Sequence, residues 1–435
     1  MRVYYHTFGC KANQYDTERM RQEAEARGAI TTTVRSDADV FVVNTCTVTN
    51  RADAEARRFI RRLHREQPDA RVLVAGCSAA LKEDQYRAMP GVADVIPGQD
   101  ALRVAVAVRG PRLTQIELRM PLDRIDTESI GGELLRARRG AARGWLKVQD
   151  GCDRKCSFCA TRLARGASRS RSPDDVIAEA RLLAQAHAEL VITGIHIGHY
   201  GLDLEPEGDL SRLCERLLDE VPDVRFRLGS IEATEVDDRL LELLEHAGGR
   251  LAPHLHMPLQ SGADPVLRSM RRWHTREQYR VRALEIAERI EPLGFGADVI
   301  TGFPGETEAD HDATRRLIEE LPFTYLHVFP FSPRDDTVAA ALPDPVPQRV
   351  SGERARELRD LAQAKGAEYR ARRIGGRAQV VVEGTGGTGL TEDYLRVGVV
   401  QRAGPTSRGM LSGTLLGSAD DLYIVSPHEP PPIPA

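Results

Sequence analysis

Three cysteines near the middle of this 435-residue chain are spaced closely enough to share one metal cluster. Cys152, Cys156 and Cys159 form a C-x3-C-x2-C loop directly after a strand-like run. Three thiolates can hold three corners of a cubane iron–sulfur cluster, whereas electron-transfer clusters normally take four cysteines. The fourth iron would then be open to a substrate or cofactor. The alternative is a zinc site, which would need a fourth ligand such as His196 or His199.

A second set of cysteines shares one position relative to the predicted strands. Cys10, Cys46 and Cys77 each stand just past the end of one of the first three strands. Ligands collect at the carboxyl ends of the strands in an open parallel sheet, so we expect these thiols to converge on one edge. Taken singly, each would be a buried small hydrophobic residue. Their shared position favours a second three-cysteine site, while Cys214 lies in a helix-like stretch and is predicted to pack in the core.

The elements that position these cysteines predict an α/β protein in three parts. Residues 1–110 alternate strand and helix, which predicts a parallel sheet with helices on both faces. After an arginine-rich linker at 111–143, six strand–helix units predict a partial (β/α)6 barrel over 144–373. Short strands among many glycines then predict a small OB-like β-barrel over 374–428. A proline-rich, disordered tail is expected at 429–435.

Composition limits where the protein acts and what it binds. The formal net charge is -4, so the chain has no overall basic field and any RNA site must be local. The chain shows neither a run of about 18 apolar residues nor a signal-peptide core, which predicts a cytoplasmic protein that does not bind a membrane. Thiols stay reduced in that compartment, so clustered cysteines indicate metal binding or catalysis.

Polar residues and glycines follow the predicted barrel strands, where barrel enzymes hold their ligands. Asp298 lies inside a strand and needs a partner, because a buried carboxylate is costly without one. Ordinary turn chemistry is the better interpretation for Gly194 and Gly302 taken alone. The predicted cofactor-binding residues are Thr193, Gly194, Ser230, Glu232, Gln260, Asp298 and Gly302.

Arginine supplies the case for RNA. Guanidinium groups suit phosphate because they can donate two parallel hydrogen bonds to it. One group follows the central cysteine loop and the other enters the C-terminal barrel, with a solvated helix face as the alternative interpretation. The predicted RNA-binding residues are Arg165, Arg169, Arg171, Arg372, Arg373 and Arg377.

With both triads located, the sequence resembles the radical-SAM methylthiotransferases over nearly its whole length. The matching stretches include HTFGCKANQYDTE, KVQDGCDRKCSFC, LVITGIHIGHYG, HLHMPLQSG and DVITGFPGE. The resemblance implies an N-terminal cluster domain, a core that binds S-adenosylmethionine (SAM), and a C-terminal TRAM barrel that grips RNA. It also assigns two 4Fe-4S clusters, the auxiliary one to Cys10, Cys46 and Cys77, and the SAM-binding one to Cys152, Cys156 and Cys159.

The stretch around Lys11 looks most like the branch that acts on N6-threonylcarbamoyladenosine at position 37 of tRNA. The branch acting on isopentenyladenosine usually has Gln there, and the branch acting on a ribosomal-protein aspartate usually has Pro-Lys after the first cysteine. Both branches stay open as alternatives, as do an iron–sulfur electron carrier and an RNA-binding module. The resemblance implies methylthiolation of carbon 2 of the adenine by a monomer, with the tRNA anticodon stem-loop and an electron donor such as flavodoxin or ferredoxin as partners.

Two departures from the family pattern bear on the substrate pocket. Thr161 and Arg162 stand near the place of a common Ile-Pro pair. The usual Arg-x-Gly-Thr appears here as Arg334, Asp335, Asp336 and Thr337. Neither departure removes a predicted cluster ligand.

Overall fold

The computed structural model describes residues 1–109, 134–383, 387–400 and 409–425. The N-terminal region is a five-stranded parallel sheet in the order β2-β1-β3-β4-β5. Its strands are β1 (Arg2–Thr7), β2 (Ile30–Thr31), β3 (Val40–Thr45), β4 (Arg71–Gly76) and β5 (Val92–Pro97). Its helices are α1 (Lys11–Ala26), α2 (Asn50–Glu66), α3 (Cys77–Leu81), α4 (Glu83–Arg87) and α5 (Ala101–Arg109).

Both faces of this sheet are covered. Phe41 and Val43 pack in one apolar cluster with α2, while Val40 and Val42 pack in another with α1 and α5. A strand with two covered faces reads as an unbroken hydrophobic run, as the central strand β3 does.

The second region is a partial barrel of six parallel strands. They are β6 (Arg143–Lys147), β9 (Glu189–Thr193), β10 (Arg225–Leu228), β11 (His254–His256), β12 (Gly294–Thr301) and β13 (Tyr325–Pro330). Their spatial order is their chain order, and single parallel bridges such as Ser230 to His256 join β10 to β11. The strands β6 and β13 are therefore the two edges, and the barrel is open between them.

Helices cover the outside of this barrel, and short elements follow its first strand. The short elements are β7 (Gln149–Asp150), α6 (Thr161–Arg165) and β8 (Arg169–Ser170). The outer helices are α7 (Pro173–Ala184), α8 (Leu210–Glu220), α9 (Asp238–His246), α10 (Asp264–Ser269), α11 (Arg276–Arg289), α12 (Glu308–Glu320) and α13 (Gln348–Arg373). The predicted six-unit barrel is confirmed.

The first region packs against the open side of the barrel. Helix α1 lies against the edge strand β6, where the indole Nε1 of Trp145 donates to Gln14 at 3.1 Å. Nζ of Lys147 donates to Asp16 at 2.7 Å. These polar contacts fix the N-terminal sheet beside the barrel opening.

The third region is a closed five-stranded β-barrel, which confirms the predicted small barrel. It consists of β14 (Arg377–Glu383), β15 (Thr388–Thr391), β16 (Arg396–Val399), β17 (Met410–Gly417) and β18 (Leu422–Val425). It docks on the amino-terminal end of the six-stranded barrel, where the Tyr394 ring stacks on His254 with centroids 4.2 Å apart.

Several elements differ from the sequence prediction. The short strands β2 and β5 and the helix α5 were not predicted, because each is short or weakly patterned. Cys214 is buried in the barrel core, as predicted. Residues 111–133 of the predicted linker and the predicted tail lie outside the described residues. None of the helices in the described ranges combines the length and apolar character that a membrane span requires.

Candidate active site

The central cysteine loop is held by backbone bonds at both ends. The Gly151 backbone has a φ of +70°, and a Cβ there would collide with the carbonyl oxygen of Ala167. The backbone nitrogen of Cys152 donates to Gly166 at 3.1 Å, and that of Ser157 donates to Met270 at 3.0 Å. The loop is thus fixed at the carboxyl end of the barrel, where the sequence pattern predicted it.

Polar side chains contact two thiols of this loop. Nδ1 of His196 lies 3.5 Å from Sγ of Cys152, and Nη1 of Arg272 lies 3.6 Å from Sγ of Cys156. Burial is the main reason that the pKa of Cys152 rises to about 12. Cluster binding requires thiolates, so it must release protons from these thiols.

The other three thiols converge at the carboxyl edge of the N-terminal sheet. Cys46 and Cys77 are buried and Cys10 is exposed. Nδ2 of Asn13 donates to the carbonyls of Phe8 and Thr45, both at 2.9 Å, which ties the ends of two strands together. Burial raises the pKa of Cys46 to about 12, and the thiols of Cys10 and Cys77 act in the same direction.

The thiols of neither triad are close enough together to share a single zinc ion. Two groups in the described part of the chain have all their ligand atoms within 4.8 Å of one another, and neither cysteine triad is among them. Thiolates on one tetrahedral zinc would lie about 3.8 Å apart. The zinc alternative for the central loop therefore has little geometric support, although His196 does contact Cys152.

One buried arginine links the first triad to the strand that precedes the central cysteine loop. Nε of Arg165 lies 3.1 Å from Sγ of Cys77, and its Nη1 donates to Asp150 at 2.8 Å. Its Nη2 donates to Asp16 at 2.8 Å, and Lys147 completes a network of two cations and two carboxylates. The network spans α1, the end of β7 and the helix after the central cysteine loop.

The predicted phosphate contact is therefore wrong for Arg165, and it is also wrong for two other arginines. Arg171 is buried and donates to Glu179 at 2.9 Å, and Arg373 is buried and donates to Asp393 at 2.7 Å. These three guanidinium groups already donate hydrogen bonds to carboxylates of the protein, so they are not available to phosphate. Arg169 is half-buried, and Arg372 and Arg377 are exposed, so their phosphate contacts stay predictions.

The predicted cofactor-binding residues lie at or near the carboxyl ends of the barrel strands. Glu232 is buried and pairs with Arg272, while Ser230 is exposed. Gln260 adopts a φ of 63° and donates its backbone N–H to the carbonyl of Asp298 at 2.8 Å. Thr193 is also placed at this end, and contact of these residues with SAM stays a prediction.

The two glycines of this set have structural roles. A Cβ at Gly194 would lie 2.8 Å from the carbonyl oxygen of Gln149, so the close approach of the cysteine loop requires glycine. Gly302 has a φ of +70° and donates its backbone N–H to Glu306 at 2.7 Å. Both observations agree with the turn interpretation.

The departure at residues 334–337 has a physical account. Asp336 adopts a φ of 64°, the left-handed conformation that a glycine would take in the usual Arg-x-Gly-Thr pattern. Arg334 is buried and donates to Asp53 at 2.8 Å and to Thr47 at 2.6 Å. This arginine joins the segment after β13 to the segment after β3, on which Cys46 lies.

Sequence reasoning missed a cationic group beside the central cysteine loop. The guanidinium groups of Arg154 and Arg272 lie 4.1 and 4.2 Å from the ring centroid of Trp273. Arg272 also reaches Cys156, as described above. The only signal in the sequence was the polar cluster RRWH at 271–274, which resembles an ordinary helix end.

Comparisons with known proteins match the first two parts of the chain to protein families. Residues 2–98 match the model of the uncharacterized protein family UPF0004, and residues 146–318 match the radical SAM superfamily. A solved radical SAM methyltransferase, TsrM from Kitasatospora setae, shares the fold with a TM-score of 0.56 and 17% identity. That match covers 78% of this chain and 77% of the other.

Curated relatives align over most of the chain. The threonylcarbamoyladenosine tRNA methylthiotransferase MtaB of Bacillus subtilis is 38% identical, over 84% of this chain and 81% of that protein. The protein of the same name from Thermotoga maritima is 33% identical, over 88% and 86%. A tRNA-2-methylthio-N(6)-dimethylallyladenosine synthase from Oceanobacillus iheyensis is 33% identical, over 87% and 74%. The chain therefore belongs to the radical-SAM methylthiotransferase family.

Proposed function

We propose that this enzyme adds a methylthio group to carbon 2 of N6-threonylcarbamoyladenosine at position 37 of tRNA. The observation that carries the proposal is the pair of three-cysteine sites, with Arg165 contacting Cys77 of one and Asp150 just before the other, on a chain whose relatives bear that activity in their names. An electron carrier would not need a barrel, and an RNA-binding module would not need two cysteine triads.

The residues present fit the cofactors that the family uses. The first triad would hold the auxiliary 4Fe-4S cluster and the central loop would hold the SAM-binding one, because each leaves one iron without a cysteine. When bound, the clusters and SAM supply a radical that removes the carbon 2 hydrogen and the sulfur that replaces it. The residues proposed to bind SAM are Thr193, Gly194, Ser230, Glu232, Gln260, Asp298 and Gly302.

The protein's own residues orient these groups and exclude water. Arg272 places a polar hydrogen beside Cys156, and Nδ1 of His196 lies beside Cys152 while its Nε2 bonds the carboxylate of Glu235. Arg165 places a fixed positive charge beside Cys77 and reaches back to Asp150, two residues before the central loop begins. The stacked pair of Tyr394 and His254 closes the amino-terminal end of the barrel, so reacting groups enter from the side or the carboxyl end.

RNA binding in this proposal uses the three arginines of the predicted set that are exposed or half-buried. Arg169 lies beside the central loop, and Arg372 and Arg377 lie at the start of the C-terminal barrel. Phosphate contacts of this kind position an anticodon stem-loop without reading its sequence. The proposal includes a cytoplasmic monomer that takes electrons from a flavodoxin or ferredoxin.

The direct test is an anaerobic reaction of the reconstituted enzyme with SAM, reductant and tRNA. Parallel samples carry threonylcarbamoyladenosine, isopentenyladenosine or plain adenosine at position 37. Mass spectrometry of the digested nucleosides should show one hydrogen replaced by one methylthio group in the first sample. Modification of the isopentenyl sample alone would assign the enzyme to the other tRNA branch.

A further inference from the structure

The inner face of the barrel beside its open edge is polar. The apolar core on the outer face of these strands includes Leu255, Phe295, Ala297, Val299 and Val328. Side chains alternate between the two faces of a strand. The residues between them therefore face the interior, and they are His254 and His256 on β11, Asp298 on β12, and Tyr325, His327 and Phe329 on β13.

These interior side chains form a continuous hydrogen-bonded chain. The Tyr325 hydroxyl lies 2.8 Å from Nε2 of His254 and 3.1 Å from Nδ1 of His256. Nε2 of His256 lies 3.2 Å from Oδ1 of Asp298. Nδ1 of His327 lies at the same distance from the same oxygen. The chain contains none of the six cysteines assigned to clusters.

His327 is the exposed end of this chain. Its side chain is 54% exposed, while that of Asp298 is 29% exposed and that of His256 is 9% exposed. Nδ1 of His327 forms a hydrogen bond with Asp298. Within the described ranges, no protein group forms a hydrogen bond with Nε2 of His327. His327 therefore presents one ring nitrogen to whatever enters the barrel, in an orientation fixed by Asp298.

An exposed aromatic ring lies next to it, closer to the carboxyl end. Phe329 is 42% exposed, and its ring centroid is 6.3 Å from that of His327. Unstacked RNA bases are commonly held against aromatic side chains. The pair thus offers an apolar surface for a base and, deeper in the barrel, a polar group for a substituent on that base.

We propose that His327 determines substrate specificity as an imidazolium, which donates Nδ1–H to Asp298 and Nε2–H to the carboxylate of the threonylcarbamoyl group, with the adenine stacked on Phe329. This inference rests on the proposed function and adds the residue that reads the substituent. The chain of imidazole and phenol groups suits a polar, anionic substituent. An isopentenyl group would cover the same groups without bonding them, and a site built for hydrogen bonds discriminates strongly against such an analogue.

Binding to matched RNAs tests the inference. The reconstituted holoenzyme is titrated anaerobically with three anticodon stem-loops that differ only in base 37, which is threonylcarbamoyladenosine, isopentenyladenosine or adenosine. The wild-type protein should prefer the first. His327→Asn keeps a donor toward Asp298 but lacks the Nε2 position, so that preference should fall about tenfold, as expected for one charge-assisted hydrogen bond. His327→Gln, which places a donor near Nε2, should keep part of it.

Controls separate a local effect from a damaged fold. His246→Asn changes an exposed histidine whose ring bonds a carbonyl of its own helix, so the preference should not change. The His327 variants should keep wild-type iron content and SAM cleavage in the absence of RNA. If His327→Asn fails these checks, the comparison rests on His327→Gln. Its preference for the threonylcarbamoyl RNA over the adenosine RNA should then be weaker than that of the wild type but still measurable.

The possible outcomes distinguish failure of the proposed substrate from failure of the proposed role of His327. A wild-type enzyme without preference for the threonylcarbamoyl RNA would overturn the proposed substrate together with this inference. A wild-type preference that His327→Asn fully retains would overturn the inference alone. Loss of a bound zinc or iron beyond the cluster iron in His327→Asn would also overturn it, because the ring would then be a metal ligand of the group formed with His256 and Asp298.

Discussion

Nε of Arg165 lies 3.1 Å from Sγ of Cys77, although Arg165 belongs to the barrel region and Cys77 to the N-terminal sheet region. The same guanidinium group donates to Asp150 beside the central loop and to Asp16 on α1. One fully buried side chain thus links the first cysteine triad to the strand that precedes the second.

Removing this side chain should destabilise the protein. Arg165→Ala leaves the buried carboxylates of Asp16 and Asp150 with Lys147 as their remaining cation, a loss that typically costs about 3–5 kcal/mol. Arg162→Ala changes an exposed arginine of the same helix and should stay within about 0.5 kcal/mol of wild type. Chemical unfolding of the iron-free proteins checks both. Equal stability of the two variants would show that the network contributes nothing.

The buried pair of Arg334 and Asp53 should hold the cysteine edge of the first sheet on the barrel. The two side chains are 2.8 Å apart and almost fully buried. A double-mutant cycle with Arg334→Ala and Asp53→Ala should give a coupling energy of about 3 kcal/mol. The exposed pair of Arg349 and Glu353, which lies on one helix, should give a coupling energy below about 1 kcal/mol. Similar coupling energies in the two cycles would show that the buried pair of Arg334 and Asp53 does not hold the sheet on the barrel.

Acid should weaken the contact between the two barrels through Glu189. This carboxylate accepts from Arg225 at 2.7 Å and from Arg227 at 2.8 Å, and Arg227 also donates to the Thr391 carbonyl of the C-terminal barrel. Burial opposes ionisation, yet the two guanidinium groups lower the pKa of Glu189 from 4.5 to about 2. Its ionised form therefore stabilises the folded protein above pH 4.5, and this stability is lost as the pH falls toward 2.

The matched variant for this effect is Glu189→Gln. It should be several kcal/mol less stable than wild type at neutral pH, because two buried arginines lose their charge partner. The difference should narrow as the pH falls from 4.5 toward 2, because the unfolded wild-type chain then binds a proton at this carboxylate while the folded protein keeps the charge. The stability difference is followed by measuring the thermal unfolding midpoints of both iron-free proteins across this pH range. A constant difference would mean that another group controls the acid response.

Two exposed arginines should contribute to tRNA affinity, Arg372 at the end of α13 and Arg377 at the start of β14. Deleting the whole barrel is a poor test, because the deletion removes Tyr394 and uncovers His254. The double variant Arg372→Ala and Arg377→Ala should instead weaken binding to all tRNAs alike, and it should reduce the salt slope of log affinity by about two. Arg349→Ala is the control for charge alone. An unchanged slope would remove these residues from the RNA surface.

The positions of the cluster cysteines could be predicted because they depend on topology alone. Alternating strands and helices give a parallel sheet, and residues just after its strands must meet at one edge, as Cys10, Cys46 and Cys77 do. The strand β2 escaped prediction because two residues cannot show a period.

The arginines show what sequence reasoning could not resolve. Arg165 and Arg169 lie in the same polar run, yet one is fully buried and the other is half-exposed. Only tertiary contacts such as those with Asp16 and Asp150 decide between a structural cation and a phosphate ligand. The contact between Asp298 and His327 likewise depends on the register of two strands whose paired residues lie 29 positions apart in the chain.

In the proposed reaction, the two cysteine sites have different roles. Cys46→Ala tests this difference more cleanly than Cys77→Ala, since the thiol of Cys77 also contacts Arg165. Under reducing conditions with SAM and threonylcarbamoylated tRNA, Cys46→Ala should still produce 5′-deoxyadenosine but no methylthio nucleoside, while Cys156→Ala should produce neither. Both products are measured by chromatography and mass spectrometry on the same samples. If Cys46→Ala methylthiolated tRNA at the wild-type rate, the first triad would be structural and this account would be wrong.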